Sequence, residues 1–224
     1  MVSWRDVYAS NFYIVCARQA LFDLLSGAIY NSNMPKSNTE NPNKILALGP
    51  ESAGSFAIYS NGEIYFSSDF GDLLDGKNFQ KFKKTILNYL KENKIKPDII
   101  LTDLHPLYKT TIWGKQLAKK YKAKYVQVQH HLAHIFSAVG EKIFKSKILN
   151  PKFFVGIACD GTGYGADGKI WGGEIFNIKC QMPNAKIERI GCLENQTMLG
   201  ADLAIKEPAR MLIAILEKTL SSRV

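Results

Sequence analysis

The chain has 224 residues, with 29 Lys and Arg against 20 Asp and Glu for a net charge of +9. Its 46% hydrophobic and 22% charged residues are the proportions of an ordinary globular protein, long enough for one large domain or two small lobes around a sizeable core. No apolar run reaches the roughly 18 residues of a membrane helix, and the first thirty residues carry Arg5, Asp6, Arg18 and Asp23 without a clean cleavage site, so neither a membrane span nor a signal peptide is read and the cytoplasm is expected.

Residues 1–30 have helical spacing, with Phe12, Val15, Cys16, Ala20, Leu21 and Leu24 on one face, and residues 31–43 turn to Asn, Ser, Pro, Lys and Glu, a linker. Strands are expected over 44–49, 55–59 and 63–67, the last two joined by an Asn61-Gly62 hairpin turn. An amphipathic helix over 79–93 follows, carrying the densest basic run, Lys81, Lys83 and Lys84, as a solvated face. With the lysines otherwise scattered, the surplus charge suits an anionic small substrate or an acidic partner as well as a nucleic acid. Next come a strand over 98–102, ended by Asp103-Leu-His105-Pro106, a helix over 111–122, a strand over 124–128 and a helix over 130–144. A first lobe over 44–150 thus reads β-β-β-α-β-α-β-α. A second, partial lobe over 151–224 reads as strands over 153–159 (apolar, hence buried), 170–178 and 185–192, then a helix over about 202–220 started by Asp202.

Cys16, Cys159, Cys180 and Cys192 form no C-x-x-C pair, so they read as reduced, mostly buried thiols. Three of the four histidines fall within five residues. His130 and His134, four apart, project from one helix face and can close on one metal ion that still needs other ligands. His131 points elsewhere and reads as a packing or hydrogen-bonding residue. Asp160, at the end of a strand and before Gly161-Thr-Gly-Tyr-Gly165, can supply an oxygen, while the glycines free backbone amides to hold a phosphate. The residue pattern therefore reads as a metal-and-phosphate site. The H-E-x-x-H pattern of zinc proteases is absent. Asp103 and His105 lie at a strand end, where α/β folds place ligand contacts, with a turn cap as the equal alternative; Glu51 lies in the turn Gly49-Pro-Glu-Ser-Ala-Gly54.

Five collinear segments carry a resemblance: Asp103-Leu-His-Pro-Leu-Tyr108, Val128-Gln-His-His-Leu-Ala-His134, Asp160-Gly-Thr-Gly-Tyr-Gly165, Trp171-Gly-Gly-Glu174 and Gly200-Ala-Asp-Leu-Ala-Ile-Lys-Glu-Pro-Ala-Arg210. Over about residues 44–220 the chain resembles the carboxyl-terminal region of HypF carbamoyltransferases, the part also similar to the TsaD-type enzymes that modify tRNA adenosine. The resemblance implies an α/β fold of the actin-like ATPase (ribonuclease-H-like) type, first lobe complete and second partial. It also implies transfer of a carbamoyl group from carbamoyl-adenylate, made with ATP, to the terminal cysteine of HypE during nickel–iron hydrogenase maturation. On this reading His130, His134 and Asp160 hold a divalent metal, zinc or iron. Residues Gly161, Thr162, Gly163, Tyr164 and Gly165 lie against nucleotide phosphates, and Glu51, Asp103 and His105 face the catalytic cleft. The lysine that the family carries soon after Glu51 is replaced by Ala53 or Gly54. The family's acylphosphatase-like, zinc-finger and adenylate-forming parts are not in this sequence, and its later glycine-rich motif and further metal-binding aspartate would lie beyond Val224. The chain is expected to be a truncated piece or one part of a split protein, partnered by a polypeptide carrying the rest. The alternatives are a TsaD-like tRNA-modifying enzyme and a non-catalytic lobe that binds another polypeptide; a ribonuclease-H-like nuclease comes last, since no cluster of carboxylates on core strands is evident.

Overall fold

The computed structural model describes residues 44–61, 63–146, 153–181, 184–201 and 203–221. The helix and linker expected over residues 1–43, and Asp202 as a helix start, lie outside the described residues.

The first sheet is built from β1 (Lys44–Leu48), β2 (Phe56–Ser60), β3 (Glu63–Phe66), β4 (Ile99–Asp103) and β5 (Lys124–Val128). Its spatial order is β3-β2-β1-β4-β5, with β1 antiparallel to β2, β2 antiparallel to β3, and β4 parallel to both β1 and β5. In the hairpin Ser60 pairs with Glu63 and Asn61 takes a φ of 51°, the left-handed geometry that the Asn-Gly dipeptide predicts. β1 reads Lys-Ile-Leu-Ala-Leu because it is central: Ile45 and Ala47 join one cluster with Ile99, Leu101 and Val126, while Leu46 and Leu48 join another.

The second cluster is closed by α1 (Gly76–Glu92) and α2 (Lys109–Tyr121). Asp75 caps α1, its carboxylate accepting the N–H groups of Lys77 and Asn78, so the helix starts three residues before the apolar spacing alone predicts. Phe82, Ile86 and Leu90 recur every four residues and are all buried; the lysines between them face outward. Leaving α2, the chain turns through Lys122 at a φ of 56°.

The third helix, α3 (His130–Ser146), is shared by two cores. Ala133 packs with β1 and β4, whereas Ile135 and Phe136 pack with a second sheet. That sheet has the order β10-β9-β6, from β6 (Phe153–Ala158), β9 (Glu174–Gln181) and β10 (Asn184–Cys192). β6 is not the buried strand its composition suggests. Phe153, Val155 and Ile157 are 50–65% exposed, because only the alternate face, with Gly156 and Ala158, meets α3. Cys159 continues the exposed alternation, and Cys192 at the end of β10 is exposed too; the expectation of mostly buried thiols fails at both for the same reason. The strand expected over 170–178 is divided. β7 (Gly163–Tyr164) and β8 (Ile170–Trp171) form a small antiparallel hairpin, and Gly173, at a φ of 65°, separates β8 from β9.

Contacts divide the chain after Gly191. The unit from Cys192 holds α4 (Leu203–Lys206) and α5 (Ala209–Ser221). A single helix was expected here; Pro208, which lacks an amide hydrogen, interrupts it. Lys218 ties α5 to Glu194 at 2.7 Å and to the Asn195 carbonyl at 2.9 Å. Among the described residues no helix is long and apolar enough to cross a membrane.

Candidate metal centre

Helical spacing stacks His130 and His134 at the amino end of α3, and β6 delivers Asp160 opposite them. Their ligand atoms converge. The two Nε2 atoms lie 3.2 Å apart, and Asp160 Oδ2 lies 3.0 Å from His130 Nε2 and 3.7 Å from His134 Nε2. A tetrahedral ion with metal–ligand bonds near 2.05 Å places its ligand atoms about 3.3 Å apart. The three separations bracket that value, so these residues fit a divalent cation without rearrangement of the backbone. Among the described residues it is the one group of three His, Cys or carboxylate side chains arranged in this way.

Asp103, at the carboxyl end of β4 and 2% exposed, stands behind His130. Its Oδ2 is 2.7 Å from His130 Nδ1 and its Oδ1 accepts the His105 N–H at 2.8 Å. The carboxylate thus turns Nε2 of His130 inward and makes the turn cap that was one of the two readings of Asp103. His105 lies one step out, stacked on Tyr108 with ring centroids 4.1 Å apart and edge-on to Tyr164 at 5.1 Å. Glu51 is buried, and its Oε1 accepts the Lys109 N–H at 2.5 Å. Tyr108, the cap residue of α2, makes no side-chain cap bond, so the distant carboxylate satisfies that helix end.

The loop from Gly161 to Gly165 lies over α3. Its glycines have separate reasons. A Cβ at Gly163 would stand 2.6 Å from the His131 ring and 3.0 Å from His130 Cβ; one at Gly165 would enter the Trp171 indole. Gly161 has open space beside it, so it alone of the three is free of a packing demand. Behind the loop, Gly172 meets the Gly161 carbonyl so closely that no Cβ fits, and the Gly173 N–H bonds to the Asp160 carbonyl at 2.9 Å. The Trp-Gly-Gly-Glu turn is therefore the loop's backing.

Comparison with known proteins agrees with this architecture. Residues 40–141 match the HypF Kae1-like domain, and residues 156–223 match the carbamoyltransferase Kae1-like domain, second subdomain. The chain belongs to the HypF family. It is 37% identical over 187 residues to a probable carbamoyltransferase HypF of Methanocaldococcus jannaschii, covering 83% of this chain and 23% of that protein. It is 35% identical over 177 residues to the carbamoyltransferase HypF of Synechocystis sp., covering 79% and 21%. A crystal structure of full-length HypF in the phosphate- and nucleotide-bound form superposes with a TM-score of 0.66 at 31% identity, covering 80% of this chain and 22% of that one. HypF from T. kodakarensis superposes with a TM-score of 0.67 at 33% identity, covering 79% and 22%. The chain spans less than a quarter of each of these proteins. The fold is the actin-like α/β fold of the HypF Kae1-like region, with a five-stranded first lobe and three strands in the second sheet among the described residues.

Within this HypF-family site the pKa values of His130 and His134 are pushed in opposite directions. Burial opposes the imidazolium of His130, but its bonds to Asp103 and Asp160 outweigh that and raise its pKa to about 9. Burial, then the charge on His130, lowers His134 to about 4. Burial also works against ionised Asp160, yet the bond to His130 and the charges of the histidines hold its carboxyl below the usual range. In the metal-free chain at neutral pH, one proton on His130 Nε2 therefore sits between Asp160 and His134. Tyr108 is pushed up to about 12, first by burial and then by Asp103, Glu51 and Asp160, so it remains a neutral hydroxyl facing three carboxylates.

Sequence reasoning gave no role to Tyr108, Gln129 or Arg189. Tyr108 had a signal: it closes the first of the five motif segments. Gln129 immediately precedes α3, and its Oε1 accepts the Leu132 N–H at 3.0 Å, a capping role outside the usual Ser, Thr, Asp and Asn set. Arg189 pairs with fully buried Glu174 through two bonds, of 2.5 and 3.0 Å, and lies over the Trp171 ring. Nothing local to residues 171–174 announces an arginine fifteen positions on.

Proposed function

We propose that this chain is the carbamoyl-transfer region of a HypF-type enzyme, holding a divalent metal, zinc or iron, on His130, His134 and Asp160. Its substrate is carbamoyl-adenylate, formed with ATP, and its acceptor is the terminal cysteine of HypE, in the maturation of nickel–iron hydrogenase. One observation carries the reading: three ligand atoms from two separate elements converge at tetrahedral spacing beside a glycine-bearing loop. The phosphate and nucleotide bound by the full-length HypF structure add support for a nucleotide at this loop. When bound, the cation supplies charge neutralisation to the phosphate that leaves.

The chain's own residues set the rest. Gly161 to Gly165 lie against the adenylate phosphate, with Gly161 the open position, since the Gly165 N–H is already taken by the Lys169 carbonyl. Asp103 keeps His130 in its inward orientation. Tyr108, a hydroxyl at neutral pH, donates a hydrogen bond at the cleft beside Glu51 and His105. The thiolate of HypE attacks the carbamoyl carbon; the carbon–sulfur bond forms, the carbon–oxygen bond to the phosphate breaks, and AMP departs with that electron pair. No cysteine of this chain takes part.

The test has two arms. Purified protein is analysed for metal, and His130→Ala combined with His134→Ala must lose it; unchanged metal content refutes the ligand set. Carbamoyl-adenylate and HypE are then supplied, and thiocarboxamide on the HypE terminus is read by mass spectrometry. A second reading draws on β6. Its edge, unpaired among the described residues, and exposed Phe153, Val155 and Ile157 suit a lobe that works with a separate polypeptide carrying the remaining HypF domains. Activity that appears only with that polypeptide favours it.

A further inference from the structure

His131, read from the sequence as a packing residue, is completely buried between α3 and the glycine-bearing loop. Its ring meets two polar groups. Nδ1 is 2.9 Å from Gln129 Nε2, and Nε2 is 3.3 Å from the Asp160 carbonyl oxygen.

The direction of these bonds follows from Gln129. Its Oε1 accepts the Leu132 N–H, which fixes the amide the other way round at Nε2. The Nε2 hydrogens can only donate: one to His131 Nδ1, the other to the Tyr164 carbonyl at 3.4 Å. His131 Nδ1 is then an acceptor, the proton of the ring resides on Nε2, and that N–H points at Asp160. One glutamine orientation thus determines the tautomer of a buried histidine.

The two side chains reach both ends of one loop. His131 bonds at Asp160, Gln129 bonds at Tyr164, and Gly163 between them lies on the His131 ring with no room for a Cβ. Both grips come from the first turn of α3 and its cap, the same turn that carries His130 and His134. On the far side the Gly173 N–H takes the other lone pair of the Asp160 carbonyl.

We propose that Gln129 and His131 are positioning residues that clamp the loop 160–165 to α3, and so set the distance between the Asp160 carboxylate and the two histidine Nε2 atoms. The consequence for metal rests on the ligand reading given above; the clamp itself does not. A ligand that orders the loop would then also order the cation site.

Hydrogen exchange read by mass spectrometry on the metal-free full chain tests the clamp. His131→Phe, which keeps the ring volume without its polar atoms, and Gln129→Leu are each expected to speed exchange across 160–165 at least tenfold, with β1 and β4 unchanged. His131→Gln places an N–H near the position of Nε2 and is expected to retain most of the protection. Wild-type exchange in the loop of either apolar variant overturns the proposal, as does a rise spread equally over β1 and β4, or a His131→Gln loop as unprotected as that of His131→Phe. Zinc affinity, by competition with a chromophoric chelator, is the second readout. His131→Phe is expected to weaken it about tenfold or more, and unchanged affinity in a variant whose loop has loosened removes the link to the metal. If the wild type binds neither zinc nor iron(II), the ligand reading falls, and exchange alone decides the clamp.

Discussion

Metal binding at this site should release one proton, and that number can be worked from the geometry. His130 must give up the proton on Nε2 to become a ligand, and its pKa stands at about 9. At pH 7 that deprotonation costs two pH units, a factor of about 100 in affinity or about 2.7 kcal/mol. His134, at about 4, is already neutral and contributes no proton above about pH 5. The logarithm of the zinc association constant should therefore rise by about one per pH unit from 6.5 to 8.5 and level off near 9. Chelator competition across that range gives the slope, and calorimetry at pH 7 in two buffers of different ionisation enthalpy counts the proton directly. Asp103→Asn removes one of the two carboxylates that hold the proton on His130, so the bend should move to lower pH while the Asn oxygen still accepts from Nδ1. A slope near zero, a release of two protons, or a bend unmoved in Asp103→Asn would refute the reasoning.

The same shifts govern the stability of the metal-free chain. The raised pKa of His130 contributes stability that is fully present below the unfolded value of about 6.5 and lost as pH rises through about 9. The lowered pKa of His134 works the other way, its contribution being lost as pH falls from about 6.5 towards 4. Urea unfolding should show a maximum near pH 6.5, falling by about 3 kcal/mol on each side; a monotonic profile over pH 4–9 would contradict it. Gly172→Ala should destabilise by about 1–3 kcal/mol, since its Cβ meets the backbone of Gly161; thermal unfolding within a degree of wild type would show that the two turns do not pack as described. Arg189→Leu leaves the fully buried carboxylate of Glu174 without its cation and should cost about 2–3 kcal/mol, the lower end for a broken buried pair because the arginine is one-third exposed; denaturant titration checks it.

How legible these features were depends on the range of the interaction behind them. β1, β4 and α1 follow from local apolar periodicity, and their bounds fall within three residues of the expectation. The convergence of His130, His134 and Asp160 was legible for a related reason: two of them lie one helical turn apart, and the third ends a strand. What failed was whatever depended on neighbours. The apolar sequence of β6 specifies a strand but not how many of its faces are covered, so burial was misjudged there and at Cys159. The 170–178 stretch was expected as one strand, yet Gly172 passes beside the Gly161 backbone and Gly173 turns the chain at a positive φ. The helix-end role of Glu51 was not legible because its partner, the Lys109 amide, lies 58 positions away.

The glycines of the loop carry the same lesson into the chemistry. Read alone, Gly161, Gly163 and Gly165 suggest a nest of amides around an anion. In the structure two of them are small because rings of His131 and Trp171 occupy the space of their side chains. The glycine pattern is first a condition for bringing Asp160 against α3, where His130 and His134 wait at ligand spacing, and only at Gly161 does it leave a face open. The close approach that seats the loop on the histidine helix thus also brings Asp160 to within 3.0 Å of His130 Nε2, and it constrains every glycine of the loop except Gly161.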